Sequence, residues 1–225
     1  MLGIKNKIKI IVHPANLEST KPVSTKFGFD RGLPIDRYYI EKFLNKNKKY
    51  IKGSVLEISE NKYTKKFGGN RVKKSMVINY KKTRGVNLVA NLETGSGVLE
   101  ELADCFIMTQ TLPFVFDISN VIKNSLKLLK KGGVLLITTP GITQISRYDM
   151  DRWGQYWSLT DLAIKKLFSE FVTNKNIHTE TYGNVKSSSL FLYGLSASEV
   201  DRGELDYNDP NYQLVVCARI TKWRE

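Results

Sequence analysis

The feature that most constrains this chain is a series of apolar runs too short to be helices, set between segments of helical period. Ser54–Ile58, Ser75–Asn79, Asn87–Ala90, Asp104–Thr109 and Val134–Thr139 are a few residues each and rich in Val, Ile, Leu, Met and Phe. Runs of this kind suit strands buried on both faces in a parallel sheet. The clearest helix is predicted over 118–131, where Ile118, Val121, Ile122, Ser125, Leu126 and Leu129 recur at helical spacing. Lys127, Lys130 and Lys131 suit its negative C-terminal end, and Gly132-Gly133 would stop it. A second helix is predicted over 34–46, with Pro34 as its first residue and Ile35, Tyr39, Ile40, Phe43 and Leu44 on one stripe. Residues 60–69 read as a short helix ending near Gly68-Gly69. Ser158 or Thr160 caps another that runs to about Phe171. A short strand at Ile8–Val12 and late strands near Ile177–Tyr182 and Leu214–Arg219 complete the pattern.

Alternation of this kind predicts an α/β fold with a mostly parallel, seven-stranded sheet covered by helices on both faces. Residues 1–50 form an N-terminal extension with a lid helix in the same domain, and 51–225 form the main body. Ligands in such sheets sit at the carboxyl ends of the strands. Attention therefore falls on Glu57–Tyr63, Asn79, Asn91–Glu93, Thr109–Thr111 and the residues from Pro140 onward.

Charge enters here because 35 Lys and Arg against 22 Asp and Glu give a net charge of +13, which raises the question of an anionic partner. The lysines are scattered along the chain without interleaved aromatics, so nucleic acid is not the expected partner. No apolar run approaches the roughly 20 residues that span a bilayer. Lys5, Lys7 and Lys9 are not followed by a signal-peptide core. Cys105 and Cys217 sit in strand-like runs and read as buried free thiols, which suits a cytoplasmic protein. His13 and His178 lie far apart without neighbouring ligands, so no metal site is expected.

Three segments carry a family resemblance. Val55-Leu-Glu-Ile58, Asp104-Cys-Phe-Ile-Met-Thr-Gln-Thr-Leu112 and Leu128-Leu-Lys-Lys-Gly-Gly-Val-Leu-Leu-Ile137 resemble the first, fourth and fifth strand motifs of the class I S-adenosylmethionine-dependent methyltransferases. The resemblance covers about residues 53–170 and implies a Rossmann-like fold with S-adenosylmethionine as cofactor. More narrowly, Gly28-Phe-Asp-Arg-Gly-Leu-Pro-Ile-Asp-Arg-Tyr-Tyr39 and Ser146-Arg-Tyr-Asp-Met-Asp-Arg-Trp-Gly-Gln-Tyr-Trp157 look like a bacterial subgroup. That subgroup is linked with glycosyltransferases in surface-polysaccharide synthesis. The first loop departs from the family's Glu-Ile-Gly-x-Gly-x-Gly, reading Glu57-Ile-Ser-Glu-Asn-Lys-Tyr63. No carboxylate ends the second strand, and Asn91 replaces an acid common after the third.

The resemblance implies a division of labour at the strand ends. Glu57, Ile58, Ser59, Tyr63, Asn79, Asn91, Leu92 and Thr109 are the candidate cofactor contacts. Asn79 stands in for the ribose-binding carboxylate, and Asn91 and Leu92 offer an amide oxygen and a backbone N–H to adenine. Gln110 faces the methyl-transfer zone, with Asp149 and Asp151 as candidate bases for an acceptor hydroxyl. Asp30, Arg31, Tyr38, Arg147, Tyr148, Arg152 and Trp153 are candidate acceptor contacts, since aromatics flanked by Asp and Arg commonly hold sugars. The leading expectation is O-methylation of a sugar in a glycan or lipid-linked glycan. A non-catalytic methyltransferase-like partner of a glycosyltransferase is a second reading. An RNA methyltransferase, motivated by charge alone, is a third.

Overall fold

The structure is a computed structural model that describes residues 19–222. The expected strand at Ile8–Val12, with Lys5, Lys7, Lys9 and His13, lies outside the described residues. Seven strands form one sheet: β1 Gly53–Ile58, β2 Val72–Asn79, β3 Leu88–Val89, β4 Ala103–Thr109, β5 Leu129–Pro140, β6 Ile177–Tyr182 and β7 Val215–Thr221. Their order across the sheet is β3-β2-β1-β4-β5-β7-β6. The neighbours from β3 to β5 pair in parallel, and β7 runs antiparallel to both β5 and β6. Chain order reverses between β1 and β4, which makes the carboxyl ends of these two strands the natural crevice for a ligand.

The described helices are α1 Ile35–Lys46, α2 Ile118–Leu128, α3 Arg147–Trp153, α4 Asp161–Ser169, α5 Val185–Leu192 and α6 Arg202–Asp206. Side chains alternate across a strand, so each buried strand feeds two cores. Leu56, Phe106, Leu135 and Ile137 face one layer with Val121, Ile122, Ile164 and Phe168 of α2 and α4. Val55, Cys105, Ile107 and Leu136 face the other with Tyr39, Phe43, Leu190 and Phe191 of α1 and α5. By the same alternation Glu57, Thr109 and Thr138 fall on the α1 side at the carboxyl edge. Cys105 and Cys217 are buried free thiols, and burial pushes both thiols up. Among the described residues no helix is long and apolar enough to cross a membrane.

Some boundaries differ from the sequence reading for identifiable reasons. Pro34 precedes α1 rather than opening it, because its ψ of 149° is extended and it bridges to Ser196. α2 ends at Leu128, where Leu129 turns extended (ψ 140°). Lys130–Gly133 therefore open β5 instead of finishing the helix, with Leu129 already paired to Ala103. The segment after β1 is a five-residue π-helical turn, Thr64–Gly68. Thr160, not Ser158, caps α4, through its hydroxyl and the Ala163 amide. The short helices α3, α5 and α6 carry too few turns for a periodic signal; the side chains of Ser146, Asn184 and Asp201 cap them.

Candidate cofactor and acceptor site

The site begins with a buried carboxylate. Glu57 on β1 is 3% exposed. One oxygen accepts from the Tyr63 amide at 3.0 Å, and the other from the Thr64 amide and hydroxyl, both at 2.7 Å. Burial raises its pKa, opposed by the bonds from Thr64 and Tyr63. Glu57 thus staples the loop after β1 back onto its own strand and engages both oxygens within the loop. Thr64, which completes the staple, belongs to the Tyr63-Thr64-x-x-Phe67-Gly68 loop but was not a candidate contact.

Ser59, the first residue past β1, has φ 63°, a left-handed conformation that favours glycine. Its amide bonds Ile78 O at 2.9 Å, and its hydroxyl accepts from Asn79 Nδ2 at 3.4 Å. Ile58, Ser59 and Asn79 therefore meet at adjacent strand ends. The chain makes the tight turn of a glycine loop here with a serine. Tyr63 is 8% exposed and stacks on Phe67 at 6.2 Å, so its ring is largely packing. Its phenol is raised by burial and held down by the nearby Arg37 guanidinium.

On the other side of β2, Asn91 Oδ1 accepts from the Glu93 and Thr94 amides at 2.8 and 3.1 Å. The amide oxygen assigned to adenine is thus spent shaping its own turn. Leu92 is buried, and its carbonyl accepts from Asn124 Nδ2 at 2.8 Å. Glu93 then reaches across to accept from the Phe116 and Asp117 amides at 3.1 and 2.9 Å, tying this loop to the start of α2. Glu93 was named only as a neighbour in sequence, yet it joins two loops.

Gln110 follows β4 with φ 50°, the counterpart of Ser59 on the adjacent strand. Its amide donates to Thr138 O at 2.8 Å and its Nε2 lies 3.4 Å from Thr138 Oγ1. Thr109 ends β4 beside it, its carbonyl accepting from the Thr111 hydroxyl at 3.1 Å. Non-glycine residues in this region are uncommon and gather at functional sites. Here two of them flank the point where strand order reverses.

The segments after β4 and β5 build an aromatic shelf. Tyr156 N donates to Pro113 O at 2.7 Å, and Trp157 Nε1 to Val115 O at 3.0 Å. Phe116, 65% exposed, packs on Tyr156 at 5.4 Å and Trp157 at 6.0 Å. Within α3, the Arg152 guanidinium lies 3.6 Å over the Tyr148 ring, and Tyr148 meets Trp153 edge-on at 6.0 Å. Phe116 was not among the sequence candidates, because nothing local shows that it pairs with residues forty positions on.

The two candidate bases are placed differently. Asp151 is bound to Arg147 at 2.7 Å in an exposed pair one helical turn apart, an arrangement that spends both on each other. Asp149 occupies the first turn of α3, its amide facing Ser146 Oγ.

Three substrate candidates near the N-terminus hold the chain together. Asp30 accepts from Ser24 Oγ at 2.5 Å, and Arg31 pairs with Glu199. Tyr38 donates to Asp206 Oδ1 at 2.7 Å. The Arg31 and Tyr38 contacts dock the start of α1 against the segment around α6, the Asp30 contact is local, and the chain before Asp30 runs along Gly194–Leu195.

No protein-family model and no curated protein matches the chain. Solved structures do. The N-methyltransferase NodS from Bradyrhizobium japonicum WM9, in complex with S-adenosyl-L-homocysteine, is similar at 15% identity and TM-score 0.52, over 92% of this chain and 95% of that one. A SAM-dependent methyltransferase from Archaeoglobus fulgidus is similar at 10% identity and TM-score 0.52, over 83% and 94%. The [4+2]-cyclase SpnF is similar at 12% identity and TM-score 0.50, over 82% and 81%. With its strand order and single antiparallel β7, the chain has the fold of the class I S-adenosylmethionine-dependent methyltransferases.

Proposed function

We propose that this chain is an S-adenosylmethionine-dependent methyltransferase that O-methylates a sugar in a glycan or lipid-linked glycan. The observation that carries the reading is the pair of left-handed residues, Ser59 and Gln110, at the carboxyl ends of adjacent strands where chain order reverses. They stand at the strand ends where this class of sheet binds its ligand. The residues present fit an adenosyl cofactor. Ser59 supplies the glycine-like turn, Asn79 at the end of β2 is tied to it through Nδ2 while its Oδ1 accepts from the Lys81 amide at 3.3 Å, and Thr109 and Gln110 stand at the end of the adjacent β4.

The bound cofactor supplies an electrophilic sulfonium methyl group. The chain's own task is to bind, orient and exclude water. Gln110 reaches Thr138 on β5 through its side chain, which supports its assignment beside the acceptor. The shelf of Phe116, Tyr156 and Trp157 offers flat apolar surface joined to the end of α3 through the Tyr156 hydroxyl and Trp153 O, which suits the face of a sugar ring. Tyr148, Arg152 and Trp153 extend that surface. With Asp151 paired to Arg147, Asp149 is the carboxylate to take the hydroxyl proton.

A non-catalytic partner of a glycosyltransferase is the second reading. It draws support from Tyr63, whose ring is packed into the core rather than presented to the crevice. Isothermal titration with S-adenosylhomocysteine separates the two. Saturable heat is expected from the enzyme, whereas no heat at millimolar ligand refutes the methyltransferase reading.

A further inference from the structure

Asp36, in the first turn of α1, is the ionisable group whose environment is least explained by the fold. Its Oδ1 is buried without a hydrogen-bond partner. Its Oδ2 has the Arg37 Nε at 4.0 Å, beyond hydrogen-bond reach. A carboxylate oxygen withdrawn from water and given no donor is costly, and native proteins rarely keep one without a use for it. Burial raises its pKa, opposed by the Arg37 charge and by backbone hydrogen bonds from Arg37 and Asp36 to the carboxyl group, which leave Oδ1 as the oxygen without a donor.

Its location follows from the neighbours of the same helix turn. Tyr39 stacks at 5.7 Å on Tyr182, the last residue of β6, and β6 runs in the same direction as β5. The start of α1 therefore stands at the carboxyl edge of the sheet. Arg37 lies against the Tyr63 phenol in the loop after β1. One turn on, Glu41 pairs with Lys66 of the π-helical turn at 2.6 Å. Asp36 and Arg37 thus sit beside the first loop of the site, one anion and one cation side by side.

We propose that Asp36 and Arg37 receive the amino-acid end of the cofactor, Asp36 accepting from its α-ammonium and Arg37 donating to its α-carboxylate. The inference rests on the methyltransferase reading and deepens it. An adjacent acid and base form the complement of a zwitterion, and a ligand ammonium supplies the donor that Asp36 Oδ1 lacks. The loop that follows β1 has Ser59, Asn61 and Tyr63 where glycines would let the backbone close on a ligand, so side chains from α1 take over that contact.

The test is titration of the full chain and of Asp36→Asn and Arg37→Gln with two ligands, S-adenosylhomocysteine and 5′-deoxy-5′-methylthioadenosine. The second has the adenosine thioether without the amino-acid end. Each substitution is expected to weaken S-adenosylhomocysteine by about tenfold or more and to change methylthioadenosine by less than about twofold. Circular dichroism melting of both variants verifies folding, and Arg37→Lys, which keeps the charge, is expected to recover part of the loss. Unchanged S-adenosylhomocysteine affinity in both variants overturns the assignment, as does an equal loss for both ligands. If the unsubstituted chain binds neither nucleoside, the methyltransferase reading itself has failed, a result distinct from either.

Discussion

Replacing Glu57 tests whether the loop after β1 is held by hydrogen-bond geometry or by charge. Glu57→Ala removes the acceptor of two buried amides, those of Tyr63 and Thr64, and of one hydroxyl. The Thr64 hydroxyl can turn elsewhere, but the amides cannot. Each orphaned buried donor costs about 1–3 kcal/mol, so the alanine variant is expected to lose about 2–6 kcal/mol. That is a large share of a total stability of about 5–15 kcal/mol. Glu57→Gln behaves differently. Burial raises the pKa of Glu57, and the hydrogen bonds from Thr64 and Tyr63 oppose that rise. Glutamine keeps the shape but only one acceptor oxygen, so it leaves one of the two amides facing an NH2 group and is expected to cost about 1–3 kcal/mol, roughly half the alanine loss. The sign of the pH dependence follows. A raised carboxyl pKa contributes stability that is fully present below the unfolded value, 4.5, and is lost as pH rises through the folded value. Urea unfolding at neutral pH, with slopes compared to detect a changed unfolded state, gives the free energies. Hydrogen exchange at Tyr63 and Thr64 locates them. If glutamine costs as much as alanine, the number of orphaned amides does not set the loss and the argument is refuted. If alanine costs less than about 0.5 kcal/mol with both amides still protected, water has replaced the carboxylate and the staple is unimportant.

Two further outcomes bear on the crevice. Gln110→Gly relieves a left-handed non-glycine residue (φ 50°) and is expected to stabilise the chain by about 1 kcal/mol, raising Tm by about 2–4 °C, while weakening catalysis. A lowered Tm in thermal melts would show that the 3.4 Å contact to Thr138 outweighs the strain. Asp36→Asn is expected to stabilise the ligand-free protein at neutral pH. Asp36 has a pKa raised above 3.8, so its ionised form loses stability as pH rises through the folded value, and asparagine is spared that loss. Urea melts from about pH 4 to about pH 8 should show the variants converging at the acid end; a variant less stable than the parent at neutral pH would mean that Asp36 is satisfied in the free protein.

The centre of the sheet was legible because β4 and β5 are apolar on both faces, whereas the edge strand β6 is largely polar. Ile177–Tyr182 is found with the same bounds, and Asp104–Thr109 is extended by one residue. Its order was legible through resemblance, not periodicity, since a run such as Val134–Thr139 carries no sign of which strands flank it. At the site, sequence position identified strand ends but not what each side chain does there. Glu57 was singled out correctly as a residue of the first strand end, yet its carboxylate turns inward to the amides of Tyr63 and Thr64. Asn91 is spent on its own turn for the same reason: a polar side chain at a chain reversal meets backbone donors first. Asp36 carried no local signal at all. An aspartate in a first helical turn is ordinary, and only the packing of α1 over the first loop shows that one of its oxygens lacks a donor.

The absence of glycines after β1 is best understood from the two devices that replace them. A glycine loop does two things: it turns the chain tightly, and it brings backbone N–H groups close to a ligand. Turning is achieved here by Ser59 at φ 63°, a strained conformation that persists because the Ser59 amide is bonded to Ile78 and the following loop is pinned by Glu57. Close approach is not achieved by that loop, whose side chains are Glu60, Asn61, Lys62 and Tyr63. The fold does not require that it be, because α1 brings Asp36 and Arg37 to the same edge. Strand order alone does not fix the chemistry, since SpnF, a [4+2]-cyclase, shares the fold at 12% identity. A chain that binds the cofactor and a relative that does not are therefore expected to differ at the contacts to its amino-acid end. A protein that had abandoned S-adenosylmethionine would have no reason to keep a buried carboxylate oxygen without a donor, whose replacement by asparagine would make the free chain more stable.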